Sequence, residues 1–486
     1  MMLDKDLSSV QEVRSFLKTA HTAQKKLEKM TQNQIDRLIQ TMSDAAKNHA
    51  YTLAEMAVYE TGYGKAEDKL TKNLFAANTI YDAIKDKKTV GIINRDENNR
   101  VWEIAQPVGV IAGIVPSTNP TSTVIFKALI AVKAGNAIVF SPHPSAAKCT
   151  SETAKILQQA ASQAGAPDGL ITCVTQPSLA AANELMTHQL TNVILATGGS
   201  GMVKAAYSSG KPAYGVGPGN VPVYIHSSAD VQRAVHHIVE SKTFDNGTIC
   251  SSEQAIVVDK KIKRKVKEEF KRKGVYFLDD HEKKQVASII LINGSLNPKI
   301  VGKSPQAIAE MAGILVPPSA KALIAEEESV GKDYPFSVEK LAPILALYTV
   351  ENWETANRFC EELLKLGGLG HSMGIHAEDQ QIIEKFGLEK HVSRLIVNAG
   401  TTFGGIGATT GLQPSMTLGC GSFGNNITSD NIGPQHLMNI KRLAFGIQEM
   451  EKEEPAIPRQ QSNSNVTISK EEVAQIVKSV LQEMQF

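Results

Sequence analysis

Cys250 stands in the run FDNGTICSSEQ (244–254), past the midpoint of a 486-residue chain. A thiolate at that position can attack a carbonyl carbon to give a tetrahedral thiohemiacetal. With a nicotinamide alongside, hydride loss from the adduct leaves a thioester. A free cysteine is more often an inert, buried small hydrophobe, so the argument for chemistry rests on the residues around this one. The negative oxygen created by the attack needs hydrogen-bond donors. Asn119 in PSTNP (116–120) is one candidate, and the backbone N–H of Cys250 is another. An Asn between Thr and Pro is otherwise an ordinary turn residue. Its place just beyond an expected strand end is where open α/β sheets handle ligands, and Pro116 and Ser117 share that place.

Two glycine-rich turns can admit a nucleotide. The run ATGGSGM (196–202) follows an expected strand and opens a helix. Thr197, Gly198, Gly199, Ser200 and Met202 would bring backbone N–H groups and a helix N-terminus close to a phosphate. It is not a GxGxxG fingerprint. A second cluster, Gly215-Val216-Gly217-Pro218-Gly219-Asn220, is expected near the crossing between domains. Glu339 in EKLAP can accept hydrogen bonds from ribose hydroxyls, and Leu341, two residues on, is expected to contact the cofactor as well. The turn Ser141-Pro142-His143-Pro144 can face the adenosine end of such a cofactor. His371 and His376 lack metal-site spacing, so no metal is expected. Cys149, Cys173, Cys360 and Cys420 are widely separated with no CxxC pair, which supports neither a disulfide framework nor a zinc or iron–sulfur site.

The elements that must position these residues follow a repeating pattern. Residues 8–60 read as helices, from apolar faces such as Ile35, Leu38, Ile39 and Met42. From Val101 the pattern becomes strand, helix, strand: Val110–Val115, a helix over about 122–132, then Ala137–Phe140. Further strands are expected at 170–174, Asn192–Leu195 and Val221–Ile225. After the cysteine a second series begins, with a strand at Ala255–Val258, a basic helix over 261–274, a strand at Ile314–Val316, a helix at 319–327, a helix over 352–366 and a strand at Leu395–Asn398. This alternation predicts an α/β fold with mostly parallel sheets and an active site in the cleft between two domains. The expected division is N-terminal helices and a Rossmann-type nucleotide-binding domain over 1–225, with an oligomerisation element near 95–107. A catalytic cysteine domain over 226–435 and a return strand over 436–448 follow.

The charged, then Pro-, Gln-, Ser- and Asn-rich segment 449–465 has linker composition. In 466–486, Ser469 and Glu472 form a capping-box pattern, and Val473, Ile476, Val477, Val480, Leu481 and Met484 line one helical face. A short helix with one apolar stripe calls for a partner surface.

Composition narrows the partners. With 51 basic and 50 acidic residues the net charge is +1, and aromatics make up 5%. Neither a nucleic acid nor a membrane partner is expected. The N-terminus carries acids early and no long apolar run, so it does not read as a signal peptide. The expected location is cytoplasmic.

Taken together, these motifs resemble the aldehyde dehydrogenase superfamily over roughly residues 8–446. The nearest likeness is to its CoA-acylating members, including the aldehyde-oxidising half of bifunctional aldehyde–alcohol dehydrogenases. The resemblance rests on VPSTNPTSTVIFKALIAVKAGNAIVFSPHP (115–144), FDNGTICSSEQ (244–254) and the short GGIG (404–407). It implies a thiol nucleophile at Cys250 and an oxyanion-binding amide at Asn119. It also implies cofactor contacts through 141–144 and 196–202, with Glu339 contacting ribose. Phe244, Ile249, Ser251, Thr402 and Phe403 are expected around the substrate.

Hydrolytic members of the family carry a water-activating glutamate where this chain has Gly215, and a glycine cannot act as a base. Ser141 replaces a cofactor-contacting lysine, which leaves NAD or NADP open, with NAD preferred. The expectation is reversible, CoA-dependent oxidation of a short aldehyde to acyl-CoA. Acetaldehyde is first choice, propionaldehyde next, and sulfoacetaldehyde or a hydrolytic reaction are the alternatives. The terminal helix resembles encapsulation peptides of bacterial microcompartments, which implies a location inside one, and the family implies a homodimer or tetramer.

Overall fold

The computed structural model describes residues 5–450 and 467–484. The N-terminal helices are α1 (Lys5–Leu27), α2 (Gln32–Asn48), α3 (Ala50–Thr61), α4 (Ala66–Leu74) and α5 (Tyr81–Ile84), with a π-helical stretch at Phe75–Ile80 joining the last two. In α2 the expected face is buried through Ile35, Leu38, Ile39 and Met42, and Thr31 with Gln34 closes a capping box at its start.

The strands, in chain order, make three principal sheets. β1 (Gly91–Asp96) and β2 (Val101–Pro107) are followed by β3 (Val110–Val115), β4 (Ala137–Pro142), β5 (Ile171–Cys173), β6 (Val193–Thr197) and β7 (Ala213–Val216). Strands β3 to β7 form a parallel sheet in the order β5-β4-β3-β6-β7. Both faces of β3 and β4 are buried, which is why they read as continuous apolar runs. The helix α6 (Pro120–Lys133) that links them is buried along its whole length.

The second series comprises β8 (Val221–Ile225), β9 (Glu253–Asp259), β10 (Val275–Phe277), the short hairpin β11 (Leu291–Ile292) and β12 (Ser295–Leu296), β13 (Ala322–Glu327), β14 (Ile344–Val350), β15 (Gly370–His376) and β16 (Val392–Val397). Seven of these make a parallel sheet in the order β10-β13-β14-β9-β8-β15-β16. β8, expected with the first unit, therefore pairs into the second sheet, and the chain crosses between sheets at 217–220. β17 (Met438–Ala444) returns to pair with β2, giving the antiparallel sheet β1-β2-β17.

Two expected elements are wrong in type. Residues 319–327, read as a helix, contain β13, because pairing with β10 and β14 in a buried sheet overrides the helix preference of Ala and Glu. Ile314–Val316, read as a strand, is irregular. Pro317 and Pro318 follow it, offer no N–H to a ladder, and Leu315 points to solvent.

Most of the expected linker 449–465 lies outside the described residues. Beyond it, Lys470–Glu483 is helical and Ser469 and Glu472 form the capping box. The six stripe residues are 49% to 77% exposed.

Candidate active site

The sequence before β9 folds Cys250 into place through an unusual turn. Asp245 and Asn246 have φ of 48° and 52°, and Gly247 follows at 74°. Three left-handed residues in succession reverse the chain sharply, at a strain cost for the two that carry a Cβ. Ile249 and Cys250 are thereby presented between the sheets. Leu341 is also left-handed, at φ 46°, a conformation rare for a bulky residue, and it lies on the far wall of the same cleft.

Asn119 occupies the N-cap position of α6, yet its side chain makes no capping hydrogen bond. Its backbone carbonyl instead accepts from the Thr123 hydroxyl at 2.5 Å. The amide is left for other work. Its Oδ1 accepts from Lys72 Nζ at 2.5 Å and its Nδ2 donates to Thr118 Oγ1 at 3.1 Å.

Cys250 and Asn119 line two cavities at once. The larger, about 610 Å³, runs along the carboxyl ends of β3, β4, β6 and β7. It is bordered by Pro116, Ser117, Ser141, Pro142, His143, Pro144, Thr197, Gly198, Gly199, Met202, Gly217, Glu339 and Leu341. It lies at the point where the order of the five-stranded sheet reverses, between β3 and β6. The smaller, about 100 Å³, lies on the other side of the sulfur, with Phe244, Ile249, Ser251 and Phe403 in its wall. Phe244 and Phe403 meet edge to face, centroids 4.9 Å apart.

Three of the residues singled out in sequence line neither cavity. Ser200 starts the helix Ser200–Tyr207 but stays outside the large cavity. Gly215 is held against Tyr207, whose hydroxyl accepts the Gly215 N–H at 3.0 Å, and a Cβ there would lie 2.9 Å from both the Tyr207 ring and Val203. Thr402 is fully buried, bonded through its backbone and hydroxyl to Ser241.

Electrostatics leave the resting sulfur as a thiol. Burial, with a smaller contribution from Glu339, pushes Cys250 up to about 12. Burial likewise raises Glu339 to about 7, opposed by the Gly219 N–H, which donates to its Oε1 at 3.0 Å. Among the described residues, Glu339 is the one carboxylate lining either cavity. A nucleotide cofactor finds a compatible lining here. The Thr197 hydroxyl is buried without a partner and faces both cavities, Glu339 offers a buried acceptor, and a Cβ at Gly199 would meet open space.

Several residues of the site were not legible in advance. Lys72 borders the small cavity and, with Lys69, is buried against Asp245. Asp245 sits inside the quoted cysteine motif. Burial pushes its carboxyl up, but Lys72 and Lys69 together outweigh this and hold it below the usual range. The DKLTKN run of α4 carries the only sequence signal for the lysines, an i, i+3 spacing that puts both on one face. His371 packs beside the crossing segment. A Cβ on Gly219 would lie 2.4 Å from the Cys250 carbonyl oxygen and 3.1 Å from the His371 ring. Burial, reinforced by Arg394, pushes His371 down to about 3, so its imidazole is neutral, and its Nε2 has no partner.

A partly exposed thiol and an amide share the lining of both cavities, one of them nucleotide-sized, between two parallel sheets, an arrangement that fits an α/β enzyme of the dehydrogenase type. The family model described as "Aldehyde dehydrogenase family" matches residues 3–316, and the chain belongs to that family. It is 47% identical over 443 residues to the bifunctional aldehyde-alcohol dehydrogenase of Escherichia coli, covering 90% of this chain and 50% of that protein. The chain thus spans about half the length of that curated relative. The crystal structure of an acetylating aldehyde dehydrogenase from Geobacillus thermoglucosidasius superposes with a TM-score of 0.92 at 66% identity, covering 93% of this chain and all of the other. More distant are two propionaldehyde dehydrogenases. One, from Rhodopseudomonas palustris, was solved with bound CoA and an acylated cysteine (TM-score 0.80, 28% identity, 89% and 97% coverage). The other belongs to the fucose utilisation microcompartment of Clostridium phytofermentans (TM-score 0.81, 28% identity, 89% and 97% coverage).

Proposed function

We propose that this chain oxidises a short, uncharged aldehyde to acyl-CoA, with acetaldehyde preferred and propionaldehyde next. The carrying observation is the position of Cys250 between a large nucleotide-sized cavity and a small apolar one. The relatives named as acetylating or CoA-bound enzymes support the same reading.

In this mechanism Cys250 gives up its proton to solvent through the large cavity and its sulfur attacks the aldehyde carbon, whose short chain lies against the paired rings of Phe244 and Phe403. The oxyanion receives hydrogen bonds from Asn119 Nδ2 and the Cys250 N–H. A nicotinamide in the large cavity, NAD by preference, supplies the hydride acceptor. Thr197, the 198–199 turn and Glu339 would hold it. Collapse of the tetrahedral carbon leaves a thioester on Cys250. The CoA thiolate then attacks that thioester, and the Cys250 sulfur leaves as acyl-CoA forms. One thioester replaces another, so the sequence runs in either direction. Water attack is disfavoured because Tyr207 covers Gly215, where a hydrolytic enzyme carries its base. The apolar lining of the small cavity favours acetaldehyde over sulfoacetaldehyde, since its one cation, Lys72, is already engaged by Asp245.

The test follows NADH formation from purified protein and acetaldehyde, with and without CoA, and identifies the product by mass. CoA dependence with acetyl-CoA formed is the expected result. Equal turnover to acetate without CoA would overturn it. The exposed stripe of the 470–483 helix supports a second proposal, that this helix docks on a microcompartment shell or core protein, and the β1-β2-β17 sheet supports assembly into a homodimer or tetramer.

A further inference from the structure

Lys72 is a buried amine with no role in the reaction described above. It reaches from α4 into the wall of the small cavity, beside Cys250 and Asn119. Its Nζ donates to Asn119 Oδ1 at 2.5 Å, to Asp245 Oδ2, and more weakly to Thr248 Oγ1 at 3.4 Å. Asp245 is itself pinned. It accepts from Lys69 Nζ at 2.9 Å, from the Lys65 N–H at 2.8 Å and from the Thr248 hydroxyl at 2.6 Å, while its own N–H donates to Asp68.

An ammonium group carries donors and no acceptor, so it can pair only with the oxygen end of an amide. That matters because the two ends of an asparagine side chain are nearly the same size and chemically opposite. With Oδ1 engaged by Lys72, Nδ2 is the end left to donate, one N–H to Thr118 Oγ1 and the second to a ligand in the cavity that Asn119 and Cys250 both line. With the amide reversed, an acceptor oxygen would face the forming oxyanion and repel it. The proposed role of Asn119 therefore depends on something that distinguishes its two ends. Backbone capping does not, since Asn119 makes no side-chain cap. Thr118 Oγ1 does not either, since a hydroxyl can donate or accept.

We propose that Lys72, anchored by Asp245, is a positioning residue that locks the amide of Asn119 with its N–H toward the oxyanion. The inference rests on the reading of Asn119 as the oxyanion donor. The anchoring is buried throughout: the Lys72 side chain is 4% exposed and that of Asp245 0%, so solvent offers the ammonium no competing partner there.

The experiment is a double-mutant cycle on the full chain, with CoA-dependent NADH formation as the readout. Lys72→Met keeps the apolar stem and removes the donors. It is expected to lower kcat by roughly 100-fold, the order seen when one oxyanion donor is lost, with KM for the aldehyde changed less than about twofold. In the Asn119→Ala background the same substitution is expected to cost less than about threefold, because nothing remains for Lys72 to orient. Equal losses in both backgrounds would overturn the inference, as would a Lys72→Met enzyme of full activity. Near-normal activity of Asn119→Ala alone would instead remove the oxyanion reading on which it rests. Should Lys72→Met fail to fold, Lys72→Gln retains an N–H donor and enters the same cycle. Dependence of its effect on Asn119 supports the proposal and additivity sinks it.

Discussion

Cys250 lines both cavities, and its environment sets a measurable behaviour. Burial and Glu339 both disfavour the thiolate, pushing the thiol to about 12, so only a small fraction is ionised near neutrality. Alkylation of the cofactor-free protein by iodoacetamide should therefore accelerate about tenfold per pH unit from 7 to 10, without a plateau. A plateau near pH 7 would mean that a base in the resting protein already holds the proton. Replacing Cys250 by Ala should lower CoA-dependent NADH formation by more than roughly 1000-fold. Cofactor binding, followed by nicotinamide fluorescence, should be retained, because most of the large cavity comes from other residues. Cys250 and Asn119 stood out in the sequence because each sits in a short motif with turn formers, Asp245-Asn246-Gly247 before one and Pro116 and Pro120 around the other. Lys72 did not. In DKLTKN it has the composition of a solvated helix face, and its burial comes from contact with Asp245, 173 residues away.

The elements show the same division between local and distant causes. The βαβ rhythm around 110–142 was readable because strands buried on both faces leave unbroken apolar runs. β13 was not, because ALIAEE favours a helix until β10 and β14 flank it. The sheet membership of β8 was also hidden, since a Val-rich strand fits either neighbour. The crossing segment offers a test. Introducing glutamate at Gly215 would restore the residue type used by hydrolytic family members, yet the new Cβ meets Tyr207 and Val203 at 2.9 Å. Gly215→Glu is expected to destabilise by about 1–3 kcal/mol from overpacking, read as a lower thermal midpoint. It should release no acetate without CoA. Acetate production at near-normal stability would show that Tyr207 yields and that the missing carboxylate alone decides the fate of the thioester.

In the molecule as a whole, the two parallel sheets and the helices packed against them account for the buried cores, while the 470–483 helix contributes no buried residue. Deleting residues 466–486 should leave kcat and the thermal midpoint unchanged within error. Under the docking proposal, co-sedimentation with microcompartment shell or core protein should be lost. A fall in kcat would mean that the helix serves the catalytic body instead. The sequence revealed this helix from its stripe and capping box, since both are local patterns. What it binds was beyond reach, because an exposed apolar face records that a partner is wanted and not which one.

The sulfur of Cys250 stands at the junction of a roomy nucleotide-sized cavity and a cramped apolar one. That arrangement gives the reaction a traffic rule. Under the proposed mechanism the small side takes the acyl chain and has no room for the long pantetheine arm of CoA, so the second thiol would arrive through the space used earlier in the same turnover for hydride transfer. Two visitors share one berth, and the first must clear it before the second can dock. Double-reciprocal plots of rate against NAD at several fixed CoA concentrations should therefore run parallel, and added NADH should compete with CoA. Intersecting lines would mean that the berth is wide enough for both at once.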